Sequence, residues 1–447
     1  MNARHFALRV LFQVNEEGAY ANLALDKAFS ETSLDDPRDK GLATEIIYGC
    51  IKYRGLLDWI INQFAKPQVE KMAPWIRNII RMGLYQIMFL DKVPVSAAIN
   101  ESVKLSKKYG HQGTVKFVNG VLRNLERNKH LIKYPDLKTD PVKHISIRYS
   151  FPQWLVERWI GDYGVENTIK LCSYFNEPSP LWIRTNTLKT TRRDLQDSLN
   201  QQGIKSIESN KNPEGLKILS NVEIGRLKEF KEGLFTVQDE SSMLVSHVVA
   251  PQKNENILDV CGGPGGKTSH LAQLMDNQGH ILAFDVHEHR LTLIRETCDR
   301  MGITIVKTGL KDARFLTEVV TEPVDSILVD APCSGLGVLG RRPDARWRRD
   351  PADINNLQNI QKEILSEAAK LVKPSGTLIY STCTLNREEN NDVVDSFLKN
   401  NKDFSFDGDL RKYLPYPTEE GKEGWIQFVP FIHDMDGFFI ARLKREH

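Results

Sequence analysis

No two of the six cysteines are spaced Cys-x-x-Cys; Cys50, Cys172, Cys261, Cys298, Cys333 and Cys383 are scattered along the chain. That argues against a zinc site and a disulfide framework, and for a reducing, cytoplasmic setting with no metal. No apolar run approaches the roughly 18 residues a membrane span needs. Met1-Asn2-Ala3-Arg4-His5 leads into an amphipathic stretch, without a secretory apolar core. Internal repeats and low-complexity tracts are absent. Net charge is nearly absent too: 60 Lys and Arg against 58 Asp and Glu in 447 residues leave +2. Taken alone, that figure speaks against a polyanionic partner. It hides a split. Residues 1–150 carry 23 basic and 15 acidic side chains, and the remainder 37 and 43. Over 101–150 the ratio is 11 to 4, a balance that attracts phosphates.

The length predicts two or three domains. The boundaries read from composition and pattern are 1–135, 136–235 and 236–447. The first region reads as helices only. Ile76, Ile79, Ile80, Leu84, Ile87 and Met88 recur at helical spacing over 74–90, with Pro74 at the start. Residues 95–108 form a second helical segment with Lys104, Lys107 and Lys108 on one side. Residues 114–128 form a third, with Val118, Val121, Leu122 and Leu125 inward and Lys116, Arg123 and Arg127 outward. Residues 131–150 read as a connector. A mixed stretch follows: helix at 152–175, strand at 181–186, helix at 191–202. From about 256, strands and helices alternate. The expected strands are 256–260, 280–286, 303–307, 324–330, 376–381 and 437–443, and the longest helix is 354–372. Alternation of this kind predicts an α/β domain with a largely parallel sheet, whose ligands sit outside the carboxyl ends of the strands.

After the first of those strands comes Asp259-Val260-Cys261-Gly262-Gly263-Pro264-Gly265-Gly266-Lys267-Thr268, then a helix. Glycines let backbone approach a ligand, and a helix N-terminus attracts negative charge. Three readings compete. A Walker A loop matches Gly266-Lys267-Thr268 but has Cys261 at its first glycine. A dinucleotide fingerprint matches Gly263 and Gly265 but ends on Thr268. S-adenosylmethionine suits an acid just before the loop, for its amino-acid end, and Asp285 at the end of the next strand, for its ribose.

Two further strands end in Asp330-Ala331-Pro332-Cys333-Ser334-Gly335 and Tyr380-Ser381-Thr382-Cys383-Thr384. Their thiols belong in the same crevice as the glycine loop. Cys50, Cys172 and Cys298 read as small buried apolar residues. Pyrimidine C5 is a poor nucleophile until a thiolate adds at C6. That addition needs an activated thiol, a proton donor at N3 and a base for the C5 proton. Two cysteines and an aspartate partly withdrawn from water meet those needs.

At this point the sequence resembles a known family. Asp259–Lys267, Asp330-Ala-Pro-Cys333-Ser-Gly and Ser381-Thr-Cys383-Thr look like the signatures of RNA cytosine-C5 methyltransferases. Gly437–Arg442 is similar to that family's last strand. The N-terminal pattern (Arg4-x-x-Ala7-x-x-Val10-Leu11, Pro74–Leu90, Phe117–Arg123) resembles the NusB-like RNA-binding domain. The combination is similar to the bacterial RsmB (Sun/Fmu) type, and the resemblance covers nearly the whole chain.

The resemblance implies a Rossmann-like class I methyltransferase domain, preceded by an all-α NusB-like domain and a small α+β connecting subdomain. It implies S-adenosylmethionine as cofactor. It implies a monomer acting on one cytosine of 16S rRNA, free or in early small-subunit particles. Cys383 would be the nucleophile on C6, Cys333 would assist release, and Asp330 would protonate N3. Cys261, Gly262, Gly263, Pro264, Gly265, Gly266 and Lys267 would wrap the methionine end of the cofactor, and Asp330 would border it. Asp285 would hold the ribose, and Asp312 would lie by the adenine. The family usually has two alanines where this chain has Gly262-Gly263, so a looser loop and weaker affinity are expected. DNA cytosine methyltransferases use the cysteine after proline, here Cys333, and the residues alone leave that assignment open. Two rivals stand: a P-loop nucleotide enzyme, and a non-catalytic rRNA-binding assembly factor.

On the substrate side, Arg341, Arg342, Arg346, Arg348 and Arg349 crowd around Trp347 soon after Cys333. Arginines there would bind phosphate, and Trp347 would stack on a base or pack beneath the loop. Lys104, Lys107, Lys108 and Arg123 would form a second anchor. Arg184 and Asn186 are further candidates for RNA contact.

Overall fold

Asn2 opens the first helix by accepting a hydrogen bond from the backbone N–H of His5 on its side chain, the usual device for a helix start. The structure is a computed structural model and describes residues 2–446 apart from Ser33 and Asp35. It divides into two units: Met1–Glu177 with Leu339–Arg348, and Pro178–Val338 with Arg349–His447. Among the described residues no helix is long and apolar enough to cross a membrane.

The first unit is helical: α1 (Ala3–Glu16), α2 (Ala21–Glu31), α3 (Pro37–Lys52), α4 (Arg54–Phe64), α5 (Pro74–Phe89), α6 (Val95–Tyr109), α7 (Gln112–Asn128), α8 (Pro141–Tyr149) and α9 (Gln153–Asn176). The stripe expected on α7 is the buried one, Val118, Val121, Leu122 and Leu125, while Lys116, Arg123 and Arg127 are exposed. Gly83 lets α5 approach its neighbours; a methyl there would lie 2.7 Å from Ser102 Oγ and 2.8 Å from Leu122. Truncating the fully buried Leu122 to Ala would cost about 2–5 kcal/mol. The stretch 131–150 is more than a connector, since α8 begins there on Pro141 with Asp140 as its cap. The unit runs on to Glu177, well beyond residue 135.

The second unit opens with β1 (Leu181–Thr185), α10 (Arg192–Gln201), β2 (Ser206–Glu208), β3 (Gly215–Ile218), α11 (Lys228–Lys231) and β4 (Phe235–Val237). These strands form an antiparallel sheet in the order β2-β3-β1-β4. There follow α12 (Glu240–Val249), β5 (Asn256–Asp259), α13 (Gly266–Leu274), β6 (His280–Asp285), α14 (Glu288–Met301), β7 (Val306–Leu310), β8 (Val324–Asp330), α15 (Pro351–Ala369), β9 (Val372–Thr382), α16 (Asn391–Asn400), β10 (Phe404–Phe406), β11 (Trp425–Phe428), α17 (Pro430–His433) and β12 (Phe438–Arg445). The large sheet runs β10-β12-β9-β8-β5-β6-β7, with β11 beside β12. The β9-β8-β5-β6-β7 portion is parallel, and β12 is antiparallel to β9. Chain order reverses between β5 and β8, which puts the ligand crevice at their carboxyl ends.

One expected strand is displaced. The alternation predicts a strand over 303–307, but β7 begins at Val306. Gly302 closes α14 in the left-handed region (φ 76°), and the Ile303 N–H returns to the Cys298 carbonyl at 2.9 Å. Ile303 is therefore the buried apolar plug of a helix cap.

Candidate active site

The parallel register sets the site. Asp330 of β8 lies beside Ser381 of β9, and the ladder continues with the Ala331 N–H on the Ser381 carbonyl at 2.9 Å. The loops that leave these two strands carry Cys333 and Cys383, whose Sγ atoms are 3.3 Å apart. None of the six cysteines forms a disulfide. The Cys383 sulfur beside it, and then burial, push the Cys333 thiol well up. The two thiols lie within hydrogen-bond distance, so they titrate as a pair, with the Cys333 proton held more tightly than in a free thiol.

Asp330 faces the same crevice. It accepts from Ser381 Oγ at 2.9 Å and pairs with Lys267 Nζ at 2.7 Å. Lys267 also stands over the Phe438 ring, 4.9 Å from its centroid. The lysine of the glycine loop is therefore turned towards the reacting end of the sheet.

The loop is positioned by α13, whose N-cap is Gly265 at φ 104°. Asp259, at the end of β5, is fully buried and accepts from Thr268 Oγ1 at 2.7 Å, while its Oδ1 has no hydrogen-bond partner among the described residues. Burial pushes its carboxyl up to about 7. Burial and the four carboxylates of Asp259, Asp330, Asp285 and Asp312 push the Cys261 thiol well up, so Cys261 is a neutral wall of the loop. These contacts differ from those of a P-loop: Lys267 pairs with Asp330 at the end of β8, and the Thr268 hydroxyl is donated to the buried Asp259. They also correct the expectation of a loose loop. A methyl on Gly263 would collide with Asp285 Oδ2 and lie 2.7 Å from Arg290 Cβ; one on Gly262 would lie 2.9 Å from Thr268 Oγ1. The two glycines are what allow Asp285 and Thr268 to close in.

Asp285 ends β6, accepts from the His287 N–H at 2.9 Å and meets Arg290 at 3.5 Å. Asp312 follows β7 and is chelated by Arg314 at 2.7–3.2 Å, which holds its carboxyl below the usual range. Val286, Leu310 and Phe315, all exposed, flank these two acids, and the sequence reading misses them. An apolar residue directly after a strand-ending acid, as in Asp285-Val286, is the available signal. Carboxylates on adjacent strand ends, a glycine loop at a helix start, an orphaned buried Asp259 oxygen and an apolar edge together fit an S-adenosyl nucleoside.

Several expected RNA contacts fail on burial. Arg346 is completely buried in the helical unit. It donates to the carbonyls of Ser150 (3.2 Å), Lys52 and Leu339 (3.4 Å each) and to Asn176 Oδ1 (3.0 Å), and lies 3.8 Å from the Phe151 ring centroid. Trp347 donates its indole N–H to the Ile51 carbonyl at 2.8 Å and carries the Arg54 guanidinium over its ring. Of its two expected fates, packing is the observed one. Arg348 caps the Gly18 and Ala19 carbonyls and pairs with Asp344. Arg349 donates to the Ser334 carbonyl at 3.3 Å. Arg342 is exposed and Arg341 half-buried; Lys104, Lys107, Lys108 and Arg123 are exposed. Arg184 and Asn186 are also buried. Arg184 binds Gln273, Gln238, Ser269 and the Gly266 carbonyl, bracing α13, and Asn186 binds the carbonyls of Gly233 and Met301.

Among the described residues one cluster has metal-ligand character: Glu214, His247 and His270. Both imidazoles meet the same carboxylate oxygen, at 2.8 and 2.5 Å. Donors on a tetrahedral zinc stand about 3.3 Å apart. Burial, and then the Arg184 guanidinium, push His270 down to about 3, and that same guanidinium opposes a divalent cation. Within the cluster His247 of α12 hydrogen-bonds to Glu214, just before β3, while the buried His270 of α13 lies against the same oxygen with neither ring nitrogen in a hydrogen bond among the described residues. A cavity of about 320 Å³, lined by Glu255, Asp325, Lys373 and Arg442 among others, opens at the opposite end of the sheet from the cysteines.

Comparison with known proteins agrees with this geometry. The family model for 16S rRNA methyltransferase RsmB/F matches residues 246–444, the NusB family matches 1–127, and a ferredoxin-like domain of RsmF/B-like methyltransferases matches 151–225. A Bacillus subtilis relative named "Probable ribosomal RNA small subunit methyltransferase B" is 39% identical across 100% of this chain and 99% of its own. A Proteus mirabilis relative named "Ribosomal RNA small subunit methyltransferase B" is 31% identical over the same shares. The crystal structure of NSun6 from Pyrococcus horikoshii with SFG aligns with TM-score 0.60 and 26% identity, over 67% of this chain and 99% of that one. The chain belongs to the 16S rRNA methyltransferase RsmB/F family, an S-adenosylmethionine-dependent class with a NusB domain ahead of a Rossmann-like catalytic fold.

Proposed function

We propose that this protein methylates C5 of one cytosine in 16S rRNA through a covalent adduct between Cys383 and C6. The observation that carries the reading is the pair of sulfurs 3.3 Å apart, at the ends of adjacent strands, beside the Lys267–Asp330 ion pair. S-adenosylmethionine, when bound, supplies an electrophilic methyl group. The glycine loop Cys261–Lys267 holds its amino-acid end, Asp285 the ribose, and Asp312 with Val286, Leu310 and Phe315 the adenine.

The chain's own residues do the rest. Cys333, whose thiol is pushed up, keeps its proton and leaves Cys383 as the sulfur that adds to C6. Charge building on the ring is met at N3 by the Lys267–Asp330 pair. A carboxylate in an ion pair is an acceptor, so the ammonium is the donor within that pair. After transfer, the C5 proton passes to water, the C6–sulfur bond breaks with its electron pair going to Cys383, and the Cys333 thiol promotes that elimination by hydrogen-bonding to the departing sulfur 3.3 Å away. A base reaches this crevice only when unstacked. The exposed Lys104, Lys107, Lys108 and Arg123, with Arg341 and Arg342, serve the phosphates.

Methyl transfer from labelled cofactor to 16S rRNA, with bisulfite sequencing of the product, tests the reading. One protected cytosine is expected. Label on another base or at another position, or ATP-magnesium binding without binding of S-adenosylhomocysteine, would overturn it.

A further inference from the structure

Behind the two thiols lies Glu389, in a short helical turn between β9 and α16, with no surface exposed. Its carboxylate is filled by donors from the two cysteine loops. Oε1 accepts the Ser334 N–H at 2.8 Å and Gln361 Nε2 at 3.1 Å. Oε2 accepts Ser334 Oγ at 2.6 Å, Asn386 Nδ2 at 2.7 Å and Thr384 Oγ1 at 3.3 Å. Ser334 directly follows Cys333, and Thr384 directly follows Cys383. The two hydroxyls also touch each other at 2.9 Å. Gln361 carries its amide on to the Pro332 carbonyl at 2.9 Å, and the Gly337 N–H reaches the Cys383 carbonyl at 3.0 Å. All of these donors to the carboxylate are neutral.

We propose that Glu389 is a positioning residue that fixes the separation of the two thiols, by holding the residue after each cysteine on one buried carboxylate. The proposal rests on the reading of Cys383 and Cys333 as a working pair. Loops leaving separate strands have no covalent reason to keep two sulfurs in contact. A carboxylate has acceptor positions for both loops at once; an amide has half as many and adds a donor that faces the Ser334 N–H. Misplacement of a reacting group by about 1 Å costs on the order of a hundredfold in rate.

The test compares wild type, Glu389→Gln and Ser334→Ala, the last a milder change that keeps the backbone hydrogen bond. Three readouts are taken: binding of S-adenosylhomocysteine, kcat and KM on 16S rRNA, and the rate at which diamide removes two electrons and two protons to close the Cys333–Cys383 disulfide. Glu389→Gln is expected to keep cofactor affinity within threefold and KM within threefold, to lose about a hundredfold in kcat, and to close the disulfide at least tenfold more slowly. Ser334→Ala should change both rates in the same direction by a smaller factor. If Glu389→Gln closes the disulfide at the wild-type rate and keeps its kcat, the positioning role is wrong while the methylation reading stands. If wild type forms no methylated cytosine, that reading fails, and the disulfide rates still decide whether Glu389 sets the spacing. Should Glu389→Gln lose cofactor binding as well, Ser334→Ala decides alone: unchanged disulfide and turnover rates would overturn the proposal.

Discussion

Glu389 and Arg346 are both completely buried ions, and they hold neighbouring parts of one stretch of chain. Glu389 lies in the catalytic unit and gathers N–H and O–H donors from the two cysteine loops; Arg346 lies in the helical unit and gathers the carbonyls of Lys52, Ser150 and Leu339 and the side-chain oxygen of Asn176. Neither has an opposite charge among the hydrogen-bond partners described. Each is compensated by dipoles, which costs less desolvation than a bare ion but more than an apolar plug. The difference between them is instructive. Glu389 holds the residue that follows each of the two paired cysteines. Arg346 organises packing, although it stands in the most RNA-like string of the sequence. A run of arginines near the paired cysteines is thus two things at once: Arg342 is exposed, and Arg346, Trp347 and Arg348 fasten the segment to helices.

The largest effect that bears on this contrast is on the chemical side. Cys383→Ala is expected to lower methyl transfer by about 10³-fold or more, with cofactor binding and thermal stability unchanged. Retained turnover would break the assignment of the catalytic side. Next comes the packing side. Arg346→Ala leaves several carbonyls unpaired around a cavity and should cost about 3 kcal/mol or more in urea unfolding, whereas Arg346→Met, which fills the space, should cost less. If Arg346→Ala instead weakened RNA binding at unchanged stability, Arg346 would belong to the RNA surface and the comparison would collapse. The exposed set sharpens it from the other side. Replacing Lys104, Lys107, Lys108 and Arg123 together with Ala should leave stability within about 0.5 kcal/mol. It should cut RNA affinity at low salt and reduce the salt slope by about 0.7–0.9 for each phosphate that is no longer neutralised.

A further effect concerns pH. Burial raises the Asp259 carboxyl to about 7, while in the unfolded chain it titrates near 4. The folded state binds the extra proton between those values. The stability contributed by Asp259 is therefore fully present below about pH 4 and is lost as pH rises through about 7. Asp259→Asn has no proton to lose. Across that window, the difference in unfolding free energy between variant and wild type should move in the variant's favour. A difference that stays flat would place Asp259 in contact with water.

Much of the frame is legible in the sequence because the signals are local. Helical spacing places Val118, Val121, Leu122 and Leu125 inside, and strand-ending Asp330 and the two cysteines announce a shared crevice. Charge splits the chain where total charge does not. What stays hidden depends on three dimensions. The carbonyls that receive Arg346 come from helices far away in sequence, so its pattern reads as a phosphate binder. Arg184 and Asn186 mislead for the same reason. Glu389 gives no signal, because a glutamate in Arg387-Glu388-Glu389-Asn390 reads as solvated until Ser334 and Thr384 are seen on it. The start of β7 is misplaced because a helix cap and a strand both want an isoleucine.

The central claim is that one named sulfur attacks the base and the other releases it. Peptide mapping by mass spectrometry, after incubation with 16S rRNA carrying 5-fluorocytidine at the target, tests it most directly. The account predicts a covalent RNA adduct on Cys383 in wild type, none in Cys383→Ala, and accumulation of adduct on ordinary RNA in Cys333→Ala. An adduct on Cys333, or an undiminished one in Cys383→Ala, would contradict it.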